Sequence, residues 1–227
     1  MKTRGLLDQL LKSGQSVLQQ QARPGSHGGG LSGGSLSSLL SGKGGNALAA
    51  SAMGMLLGGR KTSRLGGKAA KYGGLATLGM LAYKAYSAWQ AQQASAPQGA
   101  PQTVDRVSPA DQETHSQAVL KALVAAAKAD GHVDDQERQQ IEAQMAGLTD
   151  EPELRRWLQA ELNKPLDPAD VAAAAKSPEM AAEMYLVSLM ATDEDQYMER
   201  AYLDELARQL RLDPALKRQL EDQARSA

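Results

Sequence analysis

The sequence predicts an all-α protein, a bundle of seven helices with an internal twofold echo, preceded by a basic, glycine-rich arm that carries one apolar helix. Three observations lead there. No segment of the 227 residues alternates apolar and polar side chains as a half-buried strand does. Ser108-Pro109, Asp167-Pro168, Ser177-Pro178 and Asp213-Pro214 each set a capping side chain directly before a proline, the preferred pairing at a helix start. Between these signals the apolar residues recur at helical spacing.

The chain divides by charge at Pro101. Residues 1–100 carry eleven basic side chains and the single acid Asp8, a net charge of +10; the remaining residues carry 14 basic and 25 acidic groups, a net charge of −11. A basic arm facing an anionic surface, followed by a separate acidic domain, is the organisation this asymmetry predicts. At the start, Leu6, Leu7, Leu10, Leu11, Val17 and Leu18 share one face of a helix over residues 3–20. Asp8 and Lys12 interrupt any signal-peptide core. Such a helix can lie on anionic lipid, dock on a partner, or pack on another part of this chain. Glycine and serine crowd residues 25–67, which makes that stretch costly to order.

Residues 68–90 are the expected membrane helix. The uncharged core 72–83 is too short for the roughly 18 to 20 residues of a spanning helix, but with Lys84 snorkelling it extends to Trp89. Lys68, Lys71 and Tyr72 then mark one interface, Tyr86 and Trp89 the other, and Leu75, Leu78 and Leu81 meet lipid. Gly54 with Gly58, and Ala69 with Gly73 and Thr77, are small residues at fourfold spacing that would allow helix self-association. The basic run Arg60, Lys61, Arg64, Lys68 and Lys71 abuts this apolar segment and has no aromatic or amide side chain between its charges. It matches a polybasic patch for anionic lipid better than a nucleic-acid footprint. A single span would carry the acidic domain to the periplasm; a monotopic arm keeps it in the cytoplasm, the side favoured here.

Residues 91–107, rich in Gln, Ala and Pro, are expected to be a tether. The acidic domain is expected over residues 108–227, with helices near 109–130, 135–146, 151–163, 168–176, 178–191, 196–210 and 214–225. The first carries Val119, Leu120, Leu123 and Val124, and the fifth Met184, Leu186, Val187 and Leu189, on most of their faces, so these two are central. Asp134 to Glu137 and Asp150 to Glu153 have capping-box spacing. Asp130, Glu137 and Ile141 are echoed by Thr192, Glu199 and Leu203 in a repeated helical hairpin.

The stretches KALVAAAKADGHVDDQER at 121–138 and SLMATDEDQYMERAYLDELARQLRLDP at 188–214 resemble the TerB-like (tellurite-resistance protein B) superfamily, and the whole layout resembles a bacterial inner-membrane family typified by YebE. The resemblance implies an all-helical fold, a role in envelope or metal stress with no reaction attached, and a divalent-cation site built from the two related loops. Carried over, its ligands are Asp130 and Glu137 in the first copy and Glu199 in the second, with Asp193 standing beside Thr192 in the place of the first copy's aspartate. Carboxylates suit hard cations. The same residues also read as caps, with Gly131 ending one helix, Asp134 starting the next and Glu137 closing the box.

With no cysteine, thiolate metal sites and cysteine nucleophiles are excluded, and three histidines are poor material for a catalytic triad. No nucleophile-elbow, phosphate-loop or His-Glu-x-x-His pattern is present. The sequence therefore predicts no enzyme and requires no cofactor, but a membrane-anchored helical interaction module with a protein partner of unspecified identity. The alternative is an acidic module that binds or senses a divalent metal.

Overall fold

Helices take the numbers α1 to α7 in chain order, and the helix that organises the bundle is α5 (Pro178–Ala191). Every residue from Met180 to Ala191 is buried, Glu183 and Ser188 included. A helix that is apolar on all faces has to be enclosed on all sides. The computed structural model describes residues 3–7, 75–93, 99–129, 151–192 and 196–226. Around α5 stand α1 (Leu75–Gln92), α2 (Pro109–Ala126), α6 (Tyr197–Gln209) and α7 (Pro214–Ser226), with α2 making the most extensive contact. The outer helix α3 (Pro152–Asn163) packs on α2, and the short α4 (Pro168–Ala172) on α2 and α6. The described residues contain no strand.

The proline-led starts form as their residues predict. Ser108 accepts from Asp111 N–H, Asp167 from Ala169 N–H and Ser177 from Met180 N–H, while Asp213 accepts from Ala215 and Leu216 N–H. Other bounds differ. At α3 the N-cap is Glu151, whose side chain makes no capping bond, because Pro152 fixes the first helical position; Asp150 lies outside the described residues. α4 stops at Ala172 rather than 176, since the chain must become extended at Ser177, φ −145° and ψ 160°, to enter α5. The expected helix over 135–146 also lies outside the described residues, and with it one half of the twofold echo.

The largest departure concerns residues 68–90. Among the described residues no helix is long and apolar enough to cross a membrane. Instead α1 packs against α5 and α7. Leu78, Leu81, Ala82, Ala85 and Tyr86, at spacings of three and four, form one buried stripe, with Leu78 and Ala85 fully enclosed. Leu78, Leu81 and Tyr86, which suggested lipid, therefore face protein, each contributing about 1.5–3 kcal/mol by leaving water. Lys84 is exposed, on the side away from the stripe. Lys68, Lys71 and Tyr72 lie outside the described residues.

The expected tether also joins the bundle. Val104 is buried, and its N–H donates to both carboxylate oxygens of Glu183, at 2.9 and 3.1 Å. Glu183 in turn meets Nε2 of His115, so one buried carboxylate ties the 103–107 turn, α2 and α5 together. Burial pushes the Glu183 carboxyl above its ordinary range, while the His115 ring and the Val104 N–H pull the other way. Gly79 allows the turn to approach α1, since a Cβ there would stand 2.2 Å from Oδ1 of Asp105. The Arg106 guanidinium lies 4.0 Å over the Tyr83 ring on the same contact. At the N-terminus, residues 3–7 form a helical turn whose Leu6 and Leu7 are buried, and Thr3 donates to Glu113 at the start of α2. Of the three destinations open to the N-terminal helix, this described part takes the one within the chain.

Candidate ligand cleft

Where α1, α4, α5, α6 and α7 converge, a cleft of about 670 Å³ remains open. It exists because the chain puts small side chains there. Ala169, Ala172, Ala173 and Ala175 line one wall, and α4 is too short to bring larger residues across. Leu210, Leu212 and Leu216 supply the aliphatic wall opposite. Tyr86 and Trp89, one turn apart on α1, close the end with rings edge to face, centroids 5.1 Å apart.

The lip is shaped by the end of α6. Leu212 N–H bonds to Ala207 O and Arg211 N–H to Arg208 O, both at 3.1 Å, which closes the helix in a Schellman turn. That turn needs a left-handed residue, and Arg211 adopts it with φ 54°. Glycine would occupy the position without penalty, whereas a side chain there costs about 1–2 kcal/mol. Arg211 lines the cleft.

The polar groups of the cleft divide into those already engaged and those with no partner. Asp213 accepts from the α7 N-terminus and, at 3.5 Å, from the Gln93 amide. Ser177 caps α5, and the Gln209 amide donates to Glu205. By contrast, Tyr86 Oη and Trp89 Nε1 are buried without a hydrogen-bond partner. Burial, and secondarily the charge of Glu179, pushes the Tyr86 hydroxyl up to about 12, so it remains a neutral donor across the physiological range. Lys176 and Arg211 have no ion-pair partner among the described residues. The indole, ammonium and guanidinium groups can only donate. The enclosed Tyr86 and Trp89 donors each cost the fold about 1–3 kcal/mol, whereas Lys176 and Arg211 are exposed, where they can meet an anion at the lip.

Two other charged hollows among the described residues are internally satisfied. Between α2, α3 and α4, Lys121 meets Asp170 at 2.9 Å and Lys164 meets Glu161 at 2.6 Å. Between α5, α6 and α7, Lys217 meets Asp204 at 2.8 Å and Glu221 at 3.4 Å. These charges hold helices together. The His115–Glu183 pair, which resembles an acid–base dyad in composition, has side chains only 2% and 0% exposed and does not line the cleft.

Of the residues expected to hold a cation, only Glu199 lies within the described part, near the start of α6, where it is 9% exposed. Asp130, Glu137 and Asp193 lie outside it. Among the described residues no group of three acidic or histidine side chains is arranged to hold a metal. Of the expected membrane contacts, Leu78, Leu81 and Tyr86 are buried in the bundle, Leu75 begins α1, and Trp89 packs on the core beside the cleft. Sequence reasoning missed the cleft itself. Its one sequence signal is the alanine-rich VAAAA segment at 171–175, which contains too little volume to fill the space between helices.

No solved structure matches the chain. An uncharacterized protein in the ampR 5′ region of Yersinia enterocolitica is 38% identical over 117 residues, 51% of this chain and 81% of that protein. Residues 42–224 match the family described as Protein of unknown function (DUF533), which takes in α1 as well as the acidic domain. The chain belongs to that family, and through it to the TerB-like superfamily.

Proposed function

We propose that the chain is a non-catalytic helical binding module whose ligand sits in the cleft closed by Tyr86 and Trp89, and that its basic N-terminal half brings it to anionic lipid on the cytoplasmic face of a bacterial inner membrane. The observation that carries the binding reading is an apolar hollow bordered by two exposed cations, Lys176 and Arg211, that have no ion-pair partner among the described residues. Binding sites combine such an apolar wall with a few convergent polar groups, at volumes of roughly 300–1,000 Å³. No uncommitted carboxylate or histidine lines the cleft to act as a general base, which favours binding over chemistry. The membrane part rests on the +10 charge of residues 1–100. A spanning helix at 68–90 forms no part of the proposal, because α1 is committed to the bundle.

Ala173 is an exposed residue of the cleft wall, so enlarging it fills the hollow without disturbing the core. Nile red, an uncharged apolar dye, is expected to fluoresce on binding the full chain, and Ala173→Trp to remove that signal while leaving the melting temperature within a few degrees. Equal dye binding by the two proteins would show that the cleft is not the site. Recruitment to phosphatidylglycerol vesicles should be strong at low salt and largely lost by about 0.5 M, as attraction between exposed charges is screened. Salt-resistant sedimentation with the vesicles would contradict the electrostatic reading.

A further inference from the structure

We propose that the cleft binds a single-chain acyl carboxylate, with the chain against the alanine and leucine walls and the carboxylate held by Lys176 and Arg211; this rests on the reading of the cleft as the module's binding site. Lys176 and Arg211, exposed at the cleft and without an ion-pair partner among the described residues, call for a ligand that carries negative charge. The lining Asp213 carboxylate and Ser177 hydroxyl are committed to helix caps, which leaves the two cations as the charged groups offered to a ligand. Walls of Ala172, Ala175, Leu210 and Leu216 suit an alkyl chain. The charge balance sets the headgroup. Two cations face one capped carboxylate, and Glu179 bears on Tyr86 from α5, so the site favours a monoanion over a polyphosphate.

The backbone supplies an independent argument. Arg211 occupies a left-handed position where glycine is the unstrained residue. Strain held by a side chain at the lip of a cleft points to work done by that side chain. Replacing it should therefore separate stability from binding in opposite directions.

The experiment is calorimetry of the full chain with dodecanoate below its micellar concentration, beside the uncharged dodecanol and phosphatidylglycerol vesicles. Dodecanoate is expected to bind at one per chain and dodecanol far more weakly. Lys176→Gln and Arg211→Gly should each weaken dodecanoate about tenfold, the loss of a charge-assisted bond. Arg211→Gly should at the same time raise the melting temperature by a few degrees, which excludes unfolding as the cause of weaker binding. Equal affinity for dodecanol, or unchanged affinity in both variants, overturns carboxylate recognition. If dodecanoate fails to bind but Ala173→Trp still abolishes Nile red fluorescence, the acyl carboxylate is overturned and the binding-module reading stands. Loss of both signals in the wild-type chain removes both. Vesicle binding that disappears in Ala173→Trp, without binding of free dodecanoate, overturns the proposal in favour of a bilayer lipid.

Discussion

Leu78→Asp is expected to unfold the domain, or detach α1 from it, at a cost of about 4 kcal/mol or more. Leu78 is fully buried between α1 and its neighbours α5 and α7. Removing a buried leucine alone costs about 2–5 kcal/mol, and the new carboxylate must be buried without a partner or carry a proton. Domains of this kind are stable by only about 5–15 kcal/mol, so most of the margin disappears. Met80, two residues along the same helix, is 47% exposed, and Met80→Asp should change stability by about 0.5 kcal/mol or less. Urea denaturation followed by circular dichroism measures both. A helix held in lipid would show the opposite pattern: both aspartates would release protein from the membrane, and neither would shift the urea midpoint of the acidic domain.

Glu183→Ala should cost about 3–5 kcal/mol, because it leaves the His115 ring and the Val104 N–H buried without their common partner. The penalty belongs to the broken network rather than to the carboxylate. Replacing both members of the pair with apolar residues, His115→Leu with Glu183→Met, should recover part of the loss, since two buried polar groups are then removed together. The Val104 N–H remains unpaired in that double variant, and about 1–3 kcal/mol should remain unrecovered. Thermal melts of the wild type, Glu183→Ala, His115→Leu, Glu183→Met and the double variant check this. Full additivity of the single changes His115→Leu and Glu183→Met would show that the two side chains do not act as a unit.

The helix starts were legible because their chemistry is local. Ser108, Asp167, Ser177 and Asp213 cap the backbone a few residues on, before a proline that fixes the first turn, and tertiary context has little to add. The centrality of α2 and α5 was legible for a similar reason, since apolar residues on most faces call for neighbours on most sides. The role of α1 was not. Leu78, Leu81 and Tyr86 next to Lys84 are compatible with an interface in lipid or in protein, and only the partner helices α5 and α7 decide between them. Glu183 carried a signal that went unread, for a single charge inside MAAEMYLVSLM must be buried and must have a partner. Its partners, His115 and Val104, are 68 and 79 residues away, beyond any local pattern. The cleft is formed by five helices, so only fragments of it, the alanines of α4 and the left-handed Arg211, have any local trace.

The account depends on α1 being part of the folded bundle in water, because α1 contributes Tyr86 and Trp89 to the cleft. Hydrogen exchange of the full chain, with and without phosphatidylglycerol vesicles, tests this most directly. Amides of residues 79–90 should be protected without lipid to a degree comparable with those of 183–190 in α5, and vesicles should leave that protection unchanged. Rapid exchange of residues 79–90 in buffer, with protection gained only on adding vesicles, would contradict it and return this helix to the membrane.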